Sequence, residues 1–239
     1  MILVFFDKIV ELCFCYFFAN MAIAFFRIST SCFNRRFSFW ISANSFGVSA
    51  LLNKLKPEPG TSIVIFGAGT VGLSAIMAAN VCHCGIIIAV DVQENRLALA
   101  KELGATHTIN AKEEKVAEAI MKITEKGVNY AIESSGRPEN SRNAVDSLAV
   151  TGRAVQVAGG AIGSEVFLDI NTILFERNYE GFLMGEGVPQ IFIPRLIELN
   201  KQGKFPFDKL ITYYSFEEIN KAVEDAHKGT TIKPILKFS

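Results

Sequence analysis

Residues 61–91 constrain the fold of this chain more than any other stretch. TSIVIF (61–66) is a short apolar run rich in β-branched residues that ends in glycine, the pattern of a strand buried on both faces. Gly-Ala-Gly-Thr-Val-Gly follows at 67–72, and residues 70–82 have helix character. GIIIAVD (85–91) is then a second strand, closing with Asp91, 19 residues after Gly72. Alone, a G-x-G-x-x-G is a weak signal. Placed between a strand and a helix, with an acid ending the next strand, it predicts a dinucleotide-binding turn.

Each position has a physical task. Gly67 permits the tight turn, Gly69 lets the backbone approach a pyrophosphate, and Gly72 lets the helix close on the sheet. The unpaired N–H groups of Thr70 and Val71 then point at phosphate oxygens, aided by the positive helix end. Asp91 accepts hydrogen bonds from an adenosine ribose diol and repels a 2′-phosphate, so the expected cofactor is NAD rather than NADP. The alternative is a glycine turn that binds nothing, with Asp91 as a helix cap; the conjunction of strand, glycines, helix and acid weighs against it.

The same alternation runs on. GVSALLNKLKPEPG (47–60) reads as a short helix stopped by Pro57, Pro59 and Gly60. Helices are expected at 94–104, 116–124 and 138–149, and strands at 128–134 and 152–160. This predicts an α/β fold, a doubly wound parallel sheet of the Rossmann type with right-handed crossovers. Further on, a strand is expected at 179–185, a helix at 188–203, a helix at 215–229 opened by a Ser215–Glu218 capping box, and a last strand at 232–238.

Residues 1–46 look foreign to this body. They hold 11 of the 20 Phe but only two acids, Asp7 and Glu11, which puts a boundary at Phe46–Gly47. The uncharged run 12–26 extends back to Ile9 only by including Glu11, short of the ~20 apolar residues of a spanning helix. Arg27, Arg35 and Arg36 follow it and would keep the body on the cytoplasmic side if 9–26 entered a membrane. A membrane anchor, a buried helical extension and a replaced or mistranslated start all stay open. The absence of steady helix or strand periodicity favours the last.

Composition excludes other classes. Lys and Arg number 24, as do Asp and Glu, so there is no electrostatic case for nucleic acid or an anionic membrane surface. Five cysteines without paired long-range spacing suit free thiols in a reducing compartment, here the cytoplasm. Cys82-His83-Cys84 is the only metal candidate. Adjacent residues rarely aim three ligands at one ion, and tetrahedral sites favour C-x2–4-C spacing. A small hydrophobe at a helix end is the better reading of each Cys, and His107 and His227 are isolated.

NKLKPEPGTSIVIFGAGTVGLSAIMAA, AVDVQENRLALAKELGATHTIN, GVNYAIESSG, VPQIFIPRLIELNKQGKFPFDKL and IKPILKF together resemble the cofactor-binding half of zinc-type medium-chain alcohol dehydrogenases. Within that family the chain is most similar to NAD-dependent aryl-alcohol (benzyl alcohol) dehydrogenases, over residues 47–239. The resemblance implies a basic residue beside the adenosine ribose at Arg96, and Ser134 at a strand end near the adenosine side. It implies nicotinamide carboxamide contacts from the backbone around Val157 and Ala158 and around Phe182 and Met184. Lys233 corresponds to the family's cation facing the pyrophosphate, though Arg96 and Lys233 also read as ordinary solvated cations.

The family's chemistry comes from a preceding domain, where zinc held by two Cys and a His polarises the alcohol oxygen. No GHE-type segment or four-Cys cluster is found here, and Ser42, within ISANSF (41–46), stands where a zinc-binding Cys is expected. Zinc is thus a family cofactor without its ligands in this sequence, and no catalytic residue is assigned. The resemblance implies oxidation of an aromatic primary alcohol to its aldehyde with hydride transfer to NAD, once a catalytic domain is supplied. It implies a homodimer joined edge to edge through the sheet, and a last strand, 232–238, whose edge is exposed without the catalytic domain. A non-catalytic NAD-binding module or decayed product, and a membrane-tethered nucleotide-binding protein, are the competing readings.

Overall fold

The computed structural model describes residues 46–183 and 189–237. They belong to one compact unit, Asn44–Ser239. Residues 1–45 of the Phe-rich segment, with Ser42, and Met184 lie outside the described residues.

A helical stretch beginning at Phe46 ends in a π-helical turn, Ala50–Leu55, closed by Lys56 in the left-handed region before Pro57. Six parallel strands follow: β1 (Ser62–Phe66), β2 (Ile86–Asp91), β3 (His107–Asn110), β4 (Val128–Glu133), β5 (Leu148–Gln156) and β6 (Asn178–Gly181). Between them run α1 (Thr70–Val81), α2 (Glu94–Glu102), α3 (Val116–Thr124), α4 (Pro138–Asp146) and α5 (Ile170–Leu174). Spatial order is β3-β2-β1-β4-β5-β6, the doubly wound arrangement expected. Strand order reverses between β1 and β4, so the crossovers leave in opposite directions there. A crevice opens at the carboxyl ends of those two strands.

Every residue of β1 is buried, as a central strand covered on both faces demands. Val64 and Phe66 face Ile88, Val90, Ile120 and Ala144 on one side. Helix α1 is buried almost all round, from Gly72 to Ala79, because Val48, Leu51 and Leu55 of the opening helical stretch are also buried in this region. That packing is close: a Cβ on Gly47 would stand 2.0 Å from the Val71 carbonyl oxygen.

After β6 come α6 (Pro189–Lys201), β7 (Ile211–Ser215), α7 (Ile219–Lys228) and β8 (Lys233–Lys237). Ser215 and Glu218 form the expected capping box, and Gly229 ends α7 in the left-handed region.

Several elements differ from the sequence reading. Strand β3 went unforeseen, as did α5 and β7. The helix expected at 138–149 stops at Asp146, and β5 starts at Leu148, with Thr151 at φ 62 where its register against β4 shifts. The strand expected at 179–185 is Asn178–Gly181. The last strand pairs in parallel with β7 from Ile211↔Lys233 to Ser215↔Lys237 and, among the described residues, keeps its other edge unpaired in this two-stranded sheet, as expected.

Candidate functional site

The site is built at the end of β1. Gly67 turns at φ 90 and donates its N–H to the Val90 carbonyl at 2.8 Å. Ala68 donates its N–H to Asp91 Oδ2 at 2.6 Å, and Gly69 becomes the N-cap of α1. The three glycines answer different constraints. Gly67 needs its positive φ. At Gly72 a Cβ would stand 1.7 Å from the Gly67 carbonyl oxygen, so the helix closes on the turn only because no side chain is there. Gly69 has ordinary φ −80, and a Cβ there would meet nothing within 4 Å. Neither its backbone nor its neighbours require glycine. No side chain caps α1, and no acid lies in its first turn, so the N–H groups of Thr70 and Val71 remain uncapped.

Asp91, 8% exposed, accepts backbone N–H groups on both carboxylate oxygens. Its Oδ1 accepts the N–H groups of Val92 and Gln93 at 2.8 and 3.0 Å, a turn-forming role, while Oδ2 holds the glycine turn through Ala68. Arg96 Nη1 lies 4.0 Å from Oδ2. The Arg96 Nε is buried and has no hydrogen-bond partner, an orphaned donor beside the carboxylate.

A crevice of about 380 Å³ connects these groups. Gly67, Gly69, Asp91, Arg96 and Ser134 line it, and they had been singled out from sequence. Arg137, Asn140 and His227 line it too and had not. His227, read as isolated, reaches the wall from the end of α7, near Gly229, whose carbonyl accepts from Asn95 of α2. Ser134 also holds the turn. Its hydroxyl donates to the carbonyls of Phe66 and Gly67, at 2.8 and 3.1 Å, pinning the turn from β4.

Val157, Ala158 and Phe182 sit one and two strands further along and are not part of this wall. The N–H groups of Val157 and Ala158 donate to the Glu133 carbonyl, and that of Phe182 to the Gln156 carbonyl. Lys233 begins β8 next to Ile232, whose carbonyl accepts the Thr70 hydroxyl at 3.4 Å. Among the described residues Lys233 has no ion-pair partner, and burial pushes its pKa down. A lowered folded-state pKa makes the protonated lysine a cost at neutral pH, relieved as pH rises through that value toward 10.5. Lys233→Met should therefore raise the Tm of the ligand-free chain at pH 7 while weakening dinucleotide binding. Differential scanning fluorimetry with and without NAD measures both; a lower ligand-free Tm would contradict the sign.

Cys82 and Cys84 behave as apolar residues. Burial, then the neighbouring Cys82, pushes the Cys84 thiol up to about 11, and burial raises Cys82 as well. Among the described residues no three His, Cys, Asp or Glu side chains converge as a metal site.

Residues 70–201 match the zinc-binding dehydrogenase family. Benzyl alcohol dehydrogenase from Acinetobacter calcoaceticus is similar in structure, with TM-score 0.84 and 44% identity, covering 88% of this chain and 59% of that one. An alcohol dehydrogenase zinc-binding domain protein from Burkholderia ambifaria gives TM-score 0.81 and 44% identity, covering 83% of this chain and 54% of that one. Geraniol dehydrogenase from Castellaniella defragrans is 34% identical over 194 residues, 80% of this chain and 52% of that protein. The chain thus spans little more than half the length of these relatives. Their matching portion is the dinucleotide-binding half of an alcohol dehydrogenase-type oxidoreductase, and the chain belongs to the zinc-binding dehydrogenase family.

Proposed function

We propose that residues 47–239 hold NAD, in preference to NADP, for an alcohol dehydrogenase that converts aromatic primary alcohols to aldehydes. One observation carries this reading. The uncapped start of α1 is fronted by a glycine, Gly69, whose missing Cβ faces open space. Such a cradle fits a pyrophosphate laid against the N–H groups of Thr70 and Val71.

The other residues extend the fit. Lys233 supplies a half-buried cation beside that helix start. Asp91 keeps lone pairs for a ribose diol after accepting three N–H groups, and the orphaned Arg96 Nε offers a donor beside it. Backbone around Val157, Ala158, Phe182 and Met184 takes the carboxamide end. When bound, NAD supplies the acceptor for the alcohol's hydride. The residues described here do not fit zinc, so no step is assigned to it.

The aromatic substrate is supported by the likeness to the Acinetobacter benzyl alcohol dehydrogenase. A homodimer joined along β6 is supported by that strand's place at the sheet edge and by exposed Ile170, Leu174 and Phe175 just before it. Light scattering on the purified chain tests that assembly; a monomer at all concentrations rejects it. The cytoplasm is the proposed compartment, which suits the free thiols Cys82 and Cys84. Among the described residues no helix is long and apolar enough to cross a membrane.

Calorimetric titration of the full chain tests the cofactor reading. NAD should bind more tightly than NADP. Asp91→Ala should weaken NAD by about 10- to 100-fold, the loss of charge-assisted hydrogen bonds. NADP should suffer much less, losing only through the slackened Ala68 contact. Equal losses, or none, refute the role. A second reading, a binding module without turnover, is favoured by the lack of a metal-holding group among the described residues. Turnover of benzyl alcohol with NAD by a chain carrying one zinc would sink it.

A further inference from the structure

The best-connected polar cluster lies beside the crevice, among the ends of β4, β5 and β6. Glu133, at the end of β4, is fully buried. Its carboxylate accepts the N–H groups of Ser135, at 2.8 Å, and of Gly136, at 3.1 and 3.2 Å to its two oxygens. It also accepts the Ser135 hydroxyl and, at 2.7 Å, Nε2 of Gln156. Gln156 ends β5. The same Nε2 donates to the Ala158 carbonyl at 2.5 Å, two residues along its own chain. Its Oε1 accepts the hydroxyls of Ser141 on α4, at 2.9 Å, and Tyr179 on β6, at 2.5 Å.

The sense of this amide is unambiguous. Two pure acceptors face its nitrogen and two hydroxyl donors face its oxygen, so both ends of the group are engaged in one consistent orientation. Such a node fixes direction as well as distance. Its location gives the direction meaning. The β5–β6 ladder ends at Gln156↔Gly181, and beyond it the chain leaves the sheet as the 157–160 loop. That loop is tied back by the Val157 and Ala158 N–H groups on the Glu133 carbonyl, and by Gln156 on the Ala158 carbonyl. It also presses on the 134–136 turn, where a Cβ on Gly136 would stand 2.4 Å from the Gly159 oxygen.

We infer that Gln156, held by Glu133, Ser141 and Tyr179, is a positioning residue for the nicotinamide half of the dinucleotide. It acts by fixing the Val157–Ala158 backbone rather than by touching the cofactor. This rests on the NAD reading above and adds a division of labour to it: Asp91 and Arg96 hold the adenosine end, and the Gln156 node aligns the redox end.

Two probes separate the halves. ADP-ribose carries the adenosine, pyrophosphate and second ribose but no nicotinamide; NADH carries all of it. In titrations of the full chain, Gln156→Met should weaken NADH by about tenfold and ADP-ribose by less than about twofold. Tyr179→Phe removes one hydroxyl from the same amide and should act in the same sense by a few-fold, with little change in Tm. Parallel losses of NADH and ADP-ribose in both variants show a role in folding alone and overturn the inference, as does unchanged NADH affinity. If the wild-type chain binds neither probe, the cofactor reading falls and this inference with it. If it binds ADP-ribose and the variants lose both ligands equally, only the inference falls.

Discussion

Gly72→Ala should cost the chain about 3 kcal/mol of stability or more, the upper range for forcing a methyl into packed structure. For a domain of this size that is a fall in Tm of about 10 °C. The reason is the 1.7 Å between the new Cβ and the Gly67 carbonyl oxygen. The obstruction is backbone, so no rotamer change relieves it, and the Ser134 hydroxyl 3.0 Å away closes the alternative path. For the methyl to fit, α1 must lift from β1, and Leu73, Ile76 and Met77, all fully buried, lift with it. Thermal unfolding followed by circular dichroism gives the result directly. A Tm within about 2 °C of wild type would show that the turn yields more easily than this geometry allows.

Gly69→Ala, three residues away, should do the opposite. Its φ of −80 suits alanine, and its Cβ meets nothing within 4 Å. Alanine also restricts the unfolded chain, worth about 0.4–1 kcal/mol at a compatible site. The Tm should hold steady within about 2 °C, this gain offsetting alanine's poorer standing at an N-cap. NAD affinity, in contrast, should drop by about 100-fold, because the methyl stands where the pyrophosphate approaches the helix start. Together the two alanines separate fold from binding within one six-residue turn. A Gly69→Ala chain that binds NAD normally would remove the observation on which the proposed function rests.

How far sequence reaches is visible in particular residues. From 61 to 91 each position is constrained locally, by strand burial, turn geometry or helix start, and both strands, the glycine turn and Asp91 fall where expected. Strand β3, HTIN, is four residues long and half exposed; its pairing with β2 creates it, and nothing within the four residues announces it. In β7, ITYYS, the β-branched and aromatic content was a usable signal that went unread, and with it the partner of β8. Side-chain direction is a different problem. Ser134 was placed at the right strand end, yet it turns back to the carbonyls of Phe66 and Gly67. The Glu133–Gln156–Tyr179 node joins polar residues from three strands, each ordinary in its own segment, and only sheet order brings them together. His227 reaches the crevice wall from the end of α7, a placement its own segment does not announce.

The hydroxyl of Thr70 bonded to the carbonyl of Ile232 ties the start of α1 to a strand encoded near the far end of the chain. A ribosome has released the glycine turn, Asp91 and all six strands of the main sheet long before Lys233 emerges. A nascent chain can complete the doubly wound sheet before Lys233 reaches the start of α1. The proposed cofactor site is therefore complete only once β7, α7 and β8 have docked.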